Sequence, residues 1–164
     1  MRTLRKGIAA GIVAPLLLIG VLGGLRPANG ADSEPLKGAA RSVLENYEKI
    51  HRALAADSIT GVSESAGTIA KAVRDDNGKS LPLTMAADAE RVADAQDIRA
   101  ARRTFKSLSA ALIVWLEESK MESTGYRQAY CPMADANWLQ RGEEINNPYF
   151  GKKMLHCGVI ERSF

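Results

Sequence analysis

Cysteine is scarce in this chain. Only Cys131 and Cys157 occur in 164 residues, and they form neither CxxC nor CxxCH. Thioredoxin-type thiol exchange and covalent haem attachment are therefore not encoded. Histidine is equally rare, with His51 and His156 alone, and there is no HExxH, GxSxG or phosphate-binding glycine loop. His156 adjoins Cys157, but neighbouring side chains of an extended segment point to opposite faces, which is a poor arrangement for a thiolate and its base. The expectation is a protein that is not an enzyme.

A surplus of basic charge is missing too, although the formal net charge of +3 suggests one. Arg2, Arg5 and Lys6, the apolar run IAAGIVAPLLLIGVLGGL and the small residues Ala28 to Gly30 have the layout of an export signal ending before Ala31. If left uncleaved, with Pro15 and several glycines in it, the run would serve as a weak membrane anchor. No cysteine lies near the cleavage pattern, which argues against a lipid-anchored lipoprotein. That segment holds four basic residues and no acidic one, so residues 31–164 carry 18 basic against 19 acidic groups, a net of −1. Nothing there would neutralise nucleic-acid phosphates, and nucleic acid is dropped as a partner. The mature length suits a single domain over 31–164, exported to the periplasm. In that oxidising compartment two cysteines form a disulfide unless something keeps them reduced.

Apolar periodicity predicts helices. Val43, Tyr47, Ile50 and Leu54 give a first, over about 36–56, and Ile59, Val62, Ala66, Ile69, Ala70 and Val73 a second, capped by Asp57 or Ser58 and stopped at Asp75 to Gly78. Thr84 is a candidate cap for a third, with Met85, Ala89 and Val92 on one face. The strongest stripe is Ile98, Ala101, Phe105, Leu108, Leu112, Trp115 and Leu116, in a helix that ends before Gly125. Four amphipathic helices with short connections predict an all-α, up-and-down four-helix bundle. The tail, residues 126–164, is punctuated by Pro132, Asn146, Asn147, Pro148, Gly151 and Gly158. It is expected to be irregular, with a helical turn near Trp138, short extended pieces around Tyr130 and Leu155 to Ile160, and Trp138, Tyr149 and Phe150 as anchors on the bundle.

The tail also holds the chemistry. In CPM, Cys131 and Met133 are one residue apart, and in MLHC, Met154 and Cys157 are two apart. Thiolate with thioether is a soft donor set that suits Cu(I) or Ag(I) better than zinc or the hard cations. On spacing alone the leading reading of the same residues is a disulfide between Cys131 and Cys157, contributing about 3–4 kcal/mol by loop entropy, with Met133 and Met154 as gap-filling packing, and unpaired buried thiols are a third alternative. His51, at the edge of the first helix's stripe, is an ordinary hydrogen-bonded boundary residue unless the tail folds over it as a further ligand. His156 has the same ambiguity, and neither belongs to the candidate set.

The string YCPMADANWLQ, followed by EINNPYFGKKMLHCG, after a helical region ending FKSLSAALIVWLEES, resembles an exported bacterial family of unknown function. That family occurs alone or fused to the C-terminus of CusB-like adaptors of heavy-metal efflux pumps. The resemblance implies a helical bundle with a cysteine-containing tail, periplasmic metal handling, and Cys131, Met133, Met154 and Cys157 as the metal-binding set. The resulting expectation is a periplasmic Cu(I) or Ag(I) binding protein linked to metal homeostasis or efflux, with a heavy-metal efflux system as partner and no membrane association once the signal is cleaved. The alternative is a disulfide-stapled envelope interaction module that binds no metal.

Overall fold

A computed structural model describes residues 38–121 and 124–164. The export signal and the polar leader before Gly38 lie outside the described residues. Four helices and three strands follow in order: α1 (Gly38–Ala55), α2 (Val62–Asp76), α3 (Thr84–Ala93), α4 (Ile98–Ser119), β1 (Tyr126–Cys131), β2 (Ala136–Arg141) and β3 (Val159–Ser163), with one 3₁₀ turn at Gly151–Lys153.

The helical stripes lie where the periodicity puts them, except that Ile59, expected to open the second stripe, precedes α2 and is exposed. Val43, Leu44, Tyr47, Ile50 and Leu54 of α1, Ile69 and Val73 of α2, Met85 and Val92 of α3, and Phe105, Leu108 and Leu112 of α4 are all fully buried in one core. Met85 is core packing, as expected. Helix ends differ from the expected caps. Asp97 does cap α4, its side chain accepting from Ala100 N at 2.7 Å. α2 begins only at Val62, behind a left-handed Gly61, and α3 starts with Thr84 inside the helix rather than as its cap. The stop after α2 falls on Asn77, whose left-handed backbone (φ 53°) closes the helix one residue before Gly78.

The all-α, up-and-down four-helix bundle does not hold: the molecule is mixed, and its tail is a three-stranded antiparallel sheet of order β2-β1-β3. α1 packs on α2, α2 on α3 and α3 on α4, whereas the backbones of α1 and α4 approach at few points, their side chains Tyr47, Phe105 and Ser109 meet, and β2 packs against both helices. A four-helix bundle closes by helix pairing on every side; here the sheet is the closing wall. Trp138, expected in a helical turn, sits in the middle of β2 and is wholly buried. The extended pieces expected near Tyr130 and near Ile160 are real but belong to β1 and β3 of that sheet.

The physical reason lies in the burial patterns. In β2, Trp138, Leu139 and Gln140 are buried consecutively, because one face meets the helices and the other is covered by the loop that follows. A strand covered on both sides loses the period-two alternation by which a strand is read. β3 is mostly exposed and carries no apolar signature at all. Helix and sheet are joined by buried hydroxyls: Leu139 N donates to Tyr47 Oη at 3.0 Å, Tyr47 Oη lies 2.7 Å from Ser109 Oγ, and Tyr126 Oη donates to the carbonyl of Leu44 at 3.0 Å. Aromatic contacts run through the same seam. Tyr47 stacks on Phe105 at 4.8 Å between centroids, Phe105 lies 6.3 Å from Tyr149, and Tyr149 meets Trp138 edge-on at 5.9 Å. Trp138 and Tyr149 thus anchor the tail as expected, with Phe150 half-buried beside them.

Candidate thiol and soft-metal site

Cys131 ends β1, and Cys157 stands in the turn that enters β3. Antiparallel pairing of Tyr130 with Val159 brings the two together, and their sulfurs lie 2.9 Å apart as free thiols. Cys131 is fully buried and Cys157 half-buried.

The loop between β2 and β3 is irregular yet held by two buried amides. Gln140 accepts through Oε1 from Trp138 Nε1 at 2.9 Å and from Asn146 N at 3.2 Å, and its Nε2 donates to the carbonyl of Glu144 at 2.7 Å. Asn147, wholly buried, accepts through Oδ1 from Tyr149 N and Phe150 N at 2.8 and 3.2 Å, and donates from Nδ2 to the carbonyl of Cys157 at 2.7 Å. Side-chain amides supply the loop with the partners that a ladder would otherwise give. Gly158 completes the turn. At φ 151° a side-chain carbon there would sit 2.7 Å from Trp138 Cη2 and 3.0 Å from the carbonyl oxygen of Tyr130, so the backbone must be bare where it passes the indole.

The two thiols are unequal. Burial pushes the Cys131 thiol up, but hydrogen bonds to its sulfur from the Cys157 thiol, Ala134 N–H, the Asn147 side chain and Met133 N–H outweigh it and hold Cys131 below the ordinary thiol value. Cys157 is pushed up, first by its hydrogen bond to Cys131, then by burial and by the charge of Cys131. The pair is arranged to lose one proton from Cys131 and keep the other on Cys157.

Of the four candidate ligands, the structure brings the two cysteines together. Met133 follows Cys131 closely, yet it is its backbone N–H that faces the sulfurs. Its side chain is 67% exposed and lines a groove with Arg99, Arg102, Arg103 and Lys106 of α4, a cationic setting that opposes a metal ion. Met154 ends the 3₁₀ turn, half-buried, its N–H bonded to Gly151 O at 3.1 Å. Among the described residues no three His, Cys, Asp or Glu side chains gather into a metal-binding group. The soft donors that the structure brings together are the two thiols, with the thioethers at the margin.

The histidines go elsewhere. The tail does fold over His51, whose Nε2 lies 2.7 Å from the carbonyl oxygen of Asn146. His156 is exposed and turns Nδ1 to the carbonyl of Ile145 at 3.0 Å.

Sequence reasoning missed Arg102, which is not part of the α4 stripe. Its guanidinium reaches Leu54 O at 2.8 Å, Pro148 O at 2.8 Å and Asp57 Oδ1 at 2.6 Å, and Asp57 Oδ2 accepts from Lys152 N at 3.1 Å. Asp57, expected as a helix cap, is instead the counter-ion that ties the end of α1 to α4 and to the tail loop. Hydrogen bonding to Arg102 first, and then to Lys152 N–H, holds its carboxyl below the usual range. Gly151 has no room for a side chain against this pair, which is the reason for glycine in NPYFG.

No family model, curated protein or solved structure matches the chain.

Proposed function

We propose that this chain is an exported binding protein that holds one soft monovalent cation, Cu(I) or Ag(I), through Cys131 and Cys157, in the service of metal homeostasis or efflux. Whether Met133 and Met154 add their sulfurs is decided by the Leu substitutions below. The observation that carries this reading is the close approach of the two sulfurs, one of them supported as a thiolate by neighbouring N–H donors. A preformed thiolate lowers the proton cost of taking a soft cation.

The reduced protein is expected to compete with a Cu(I) chelator at a ratio of one, and to lose that ability once its thiols are oxidised to a disulfide. Cys131→Ser abolishes binding. Met133→Leu and Met154→Leu conserve volume and apolarity, typically at a cost under about 1.5 kcal/mol, so weakened binding with unaltered stability would identify the thioethers as ligands. Failure of the reduced wild type to compete ends the metal reading.

The second reading is the disulfide-stapled interaction module. It is favoured by the 2.9 Å separation, which is shorter than the roughly 3.8 Å between two thiolates that share a tetrahedral metal at about 2.3 Å each. Closure of that bond passes two electrons and two protons to a disulfide oxidant of the envelope. Thiol titration of protein purified anaerobically, alongside its metal content, separates the two readings.

A further inference from the structure

A groove of about 420 Å³ lies between the C-terminal half of α1 and the loop after β2, walled by Glu48, His51, Arg52, Arg141, Asn146 and Lys152. Neither cysteine lines it, and it stands independently of the metal reading. Its size falls within the range of small-molecule sites.

Two of its wall residues are buried with an acceptor to spare. His51 is 3% exposed. Its Nε2 faces a carbonyl oxygen, which only accepts, so Nε2 carries the proton and Nδ1 is left as a bare acceptor. Burial lowers His51 to about 4, so the ring is neutral at neutral pH. Glu48 precedes it by three residues on the same face of α1 and is 7% exposed. Its Oε1 meets Arg52 Nε at 3.2 Å. Neither Nδ1 of His51 nor Oε2 of Glu48 has a hydrogen-bond partner among the described residues, so the two do not satisfy each other. Buried acceptors without donors are costly, and although each atom is itself closed to solvent, both belong to side chains that line the groove, where a slight turn of either meets a donor seated there.

The rest of the wall is cationic and preset. Arg141 is held with its guanidinium over the Tyr126 ring, 4.7 Å from the centroid, and the backbone of Lys152 is fixed by Asp57 at 3.1 Å. A metal ion would suit the two acceptors but meet the field of three cations. A plain anion would suit the cations but bring no donor. A ligand with a positive N–H donor and a carboxylate a few bonds apart answers both halves of the groove. We propose that this groove binds a small zwitterion of the α-amino-acid class, its ammonium group donating to Glu48 and His51 and its carboxylate paired with Arg141 and Lys152.

The test is titration calorimetry of the purified full chain with the standard α-amino acids, and with acetate and methylammonium as half-ligands, at neutral pH and fixed ionic strength. At least one amino acid is expected to saturate the site, with each half-ligand binding at least about tenfold more weakly. Glu48→Gln keeps the shape but removes the carboxylate, and it should weaken binding at least about tenfold. Lys152→Gln, at an exposed position, reads the carboxylate end and serves if Glu48→Gln fails to fold by circular dichroism. The proposal is overturned if no amino acid binds below about 10 mM, if acetate alone binds as well, if Zn²⁺ binds where amino acids do not, or if both folded variants retain wild-type affinity.

Discussion

Asn147 donates from Nδ2 to the main-chain oxygen of Cys157 at 2.7 Å while itself wholly buried. The same amide caps Tyr149 and Phe150 through Oδ1, so one side chain fixes both the aromatic anchors of the tail and the turn that presents the second thiol.

Asn147→Ala should therefore separate two effects that most substitutions confuse. Loss of its three hydrogen bonds to the backbone in a buried position is expected to cost roughly 2–4 kcal/mol in urea unfolding. In the still-folded protein, Cys157 should react faster with a disulfide reagent than in wild type. Unchanged thiol kinetics would mean that Asn147 is only structural.

Removing the Cys131 sulfur should lower the pKa of Cys157, because its hydrogen bond to Cys131 is the largest cause raising it. Conversely, Cys157→Ala should raise the pKa of Cys131, which loses the strongest of the bonds that lower it. Alkylation rate against pH is the measurement. The two single-cysteine proteins are expected to titrate closer together than the two thiols of the reduced wild type.

Arg102→Met keeps the aliphatic stem but leaves the carbonyls of Leu54 and Pro148 and the Asp57 carboxylate without their donor. The expected loss is about 2–3 kcal/mol, checked by chemical denaturation. Arg102→Lys should recover only part of it, since a single ammonium cannot reproduce the fork that spans three acceptors.

His51 gives acid sensitivity of a definite sign. Its folded pKa of about 4 lies below the ordinary value of 6.5, so in that window the unfolded chain binds the extra proton and stability falls as pH falls. The loss begins near 6.5, levels off below about 4, and amounts to roughly 2–3 kcal/mol. Urea midpoints of wild type and His51→Gln across that range should differ in slope, the variant being flatter.

Gly158→Ala places a carbon where Trp138 and the carbonyl of Tyr130 already stand. An expected destabilisation of about 1–3 kcal/mol, with a shift in tryptophan fluorescence, checks the close packing of that turn.

The four helices are legible in the sequence because each buries one face, and a one-sided face leaves a 3.6-residue trace: Phe105, Leu108 and Leu112 need no partner to be recognised as a stripe. The pairing of Cys131 with Cys157 is likewise foreseen, because they are the chain's two cysteines. The tertiary structure decided what no local pattern records. It closed the helical array with β2, a strand so covered that Trp138, Leu139 and Gln140 lie buried in a row and the alternation of a strand vanishes. It turned Met133 outward, folded the tail loop over His51 beside Glu48 to form a groove, and set Arg102 against three acceptors contributed by α1, the loop behind it and the tail. These partners meet only when segments 45 to 95 residues apart are brought together, and short-range periodicity carries no information about pairings at that separation.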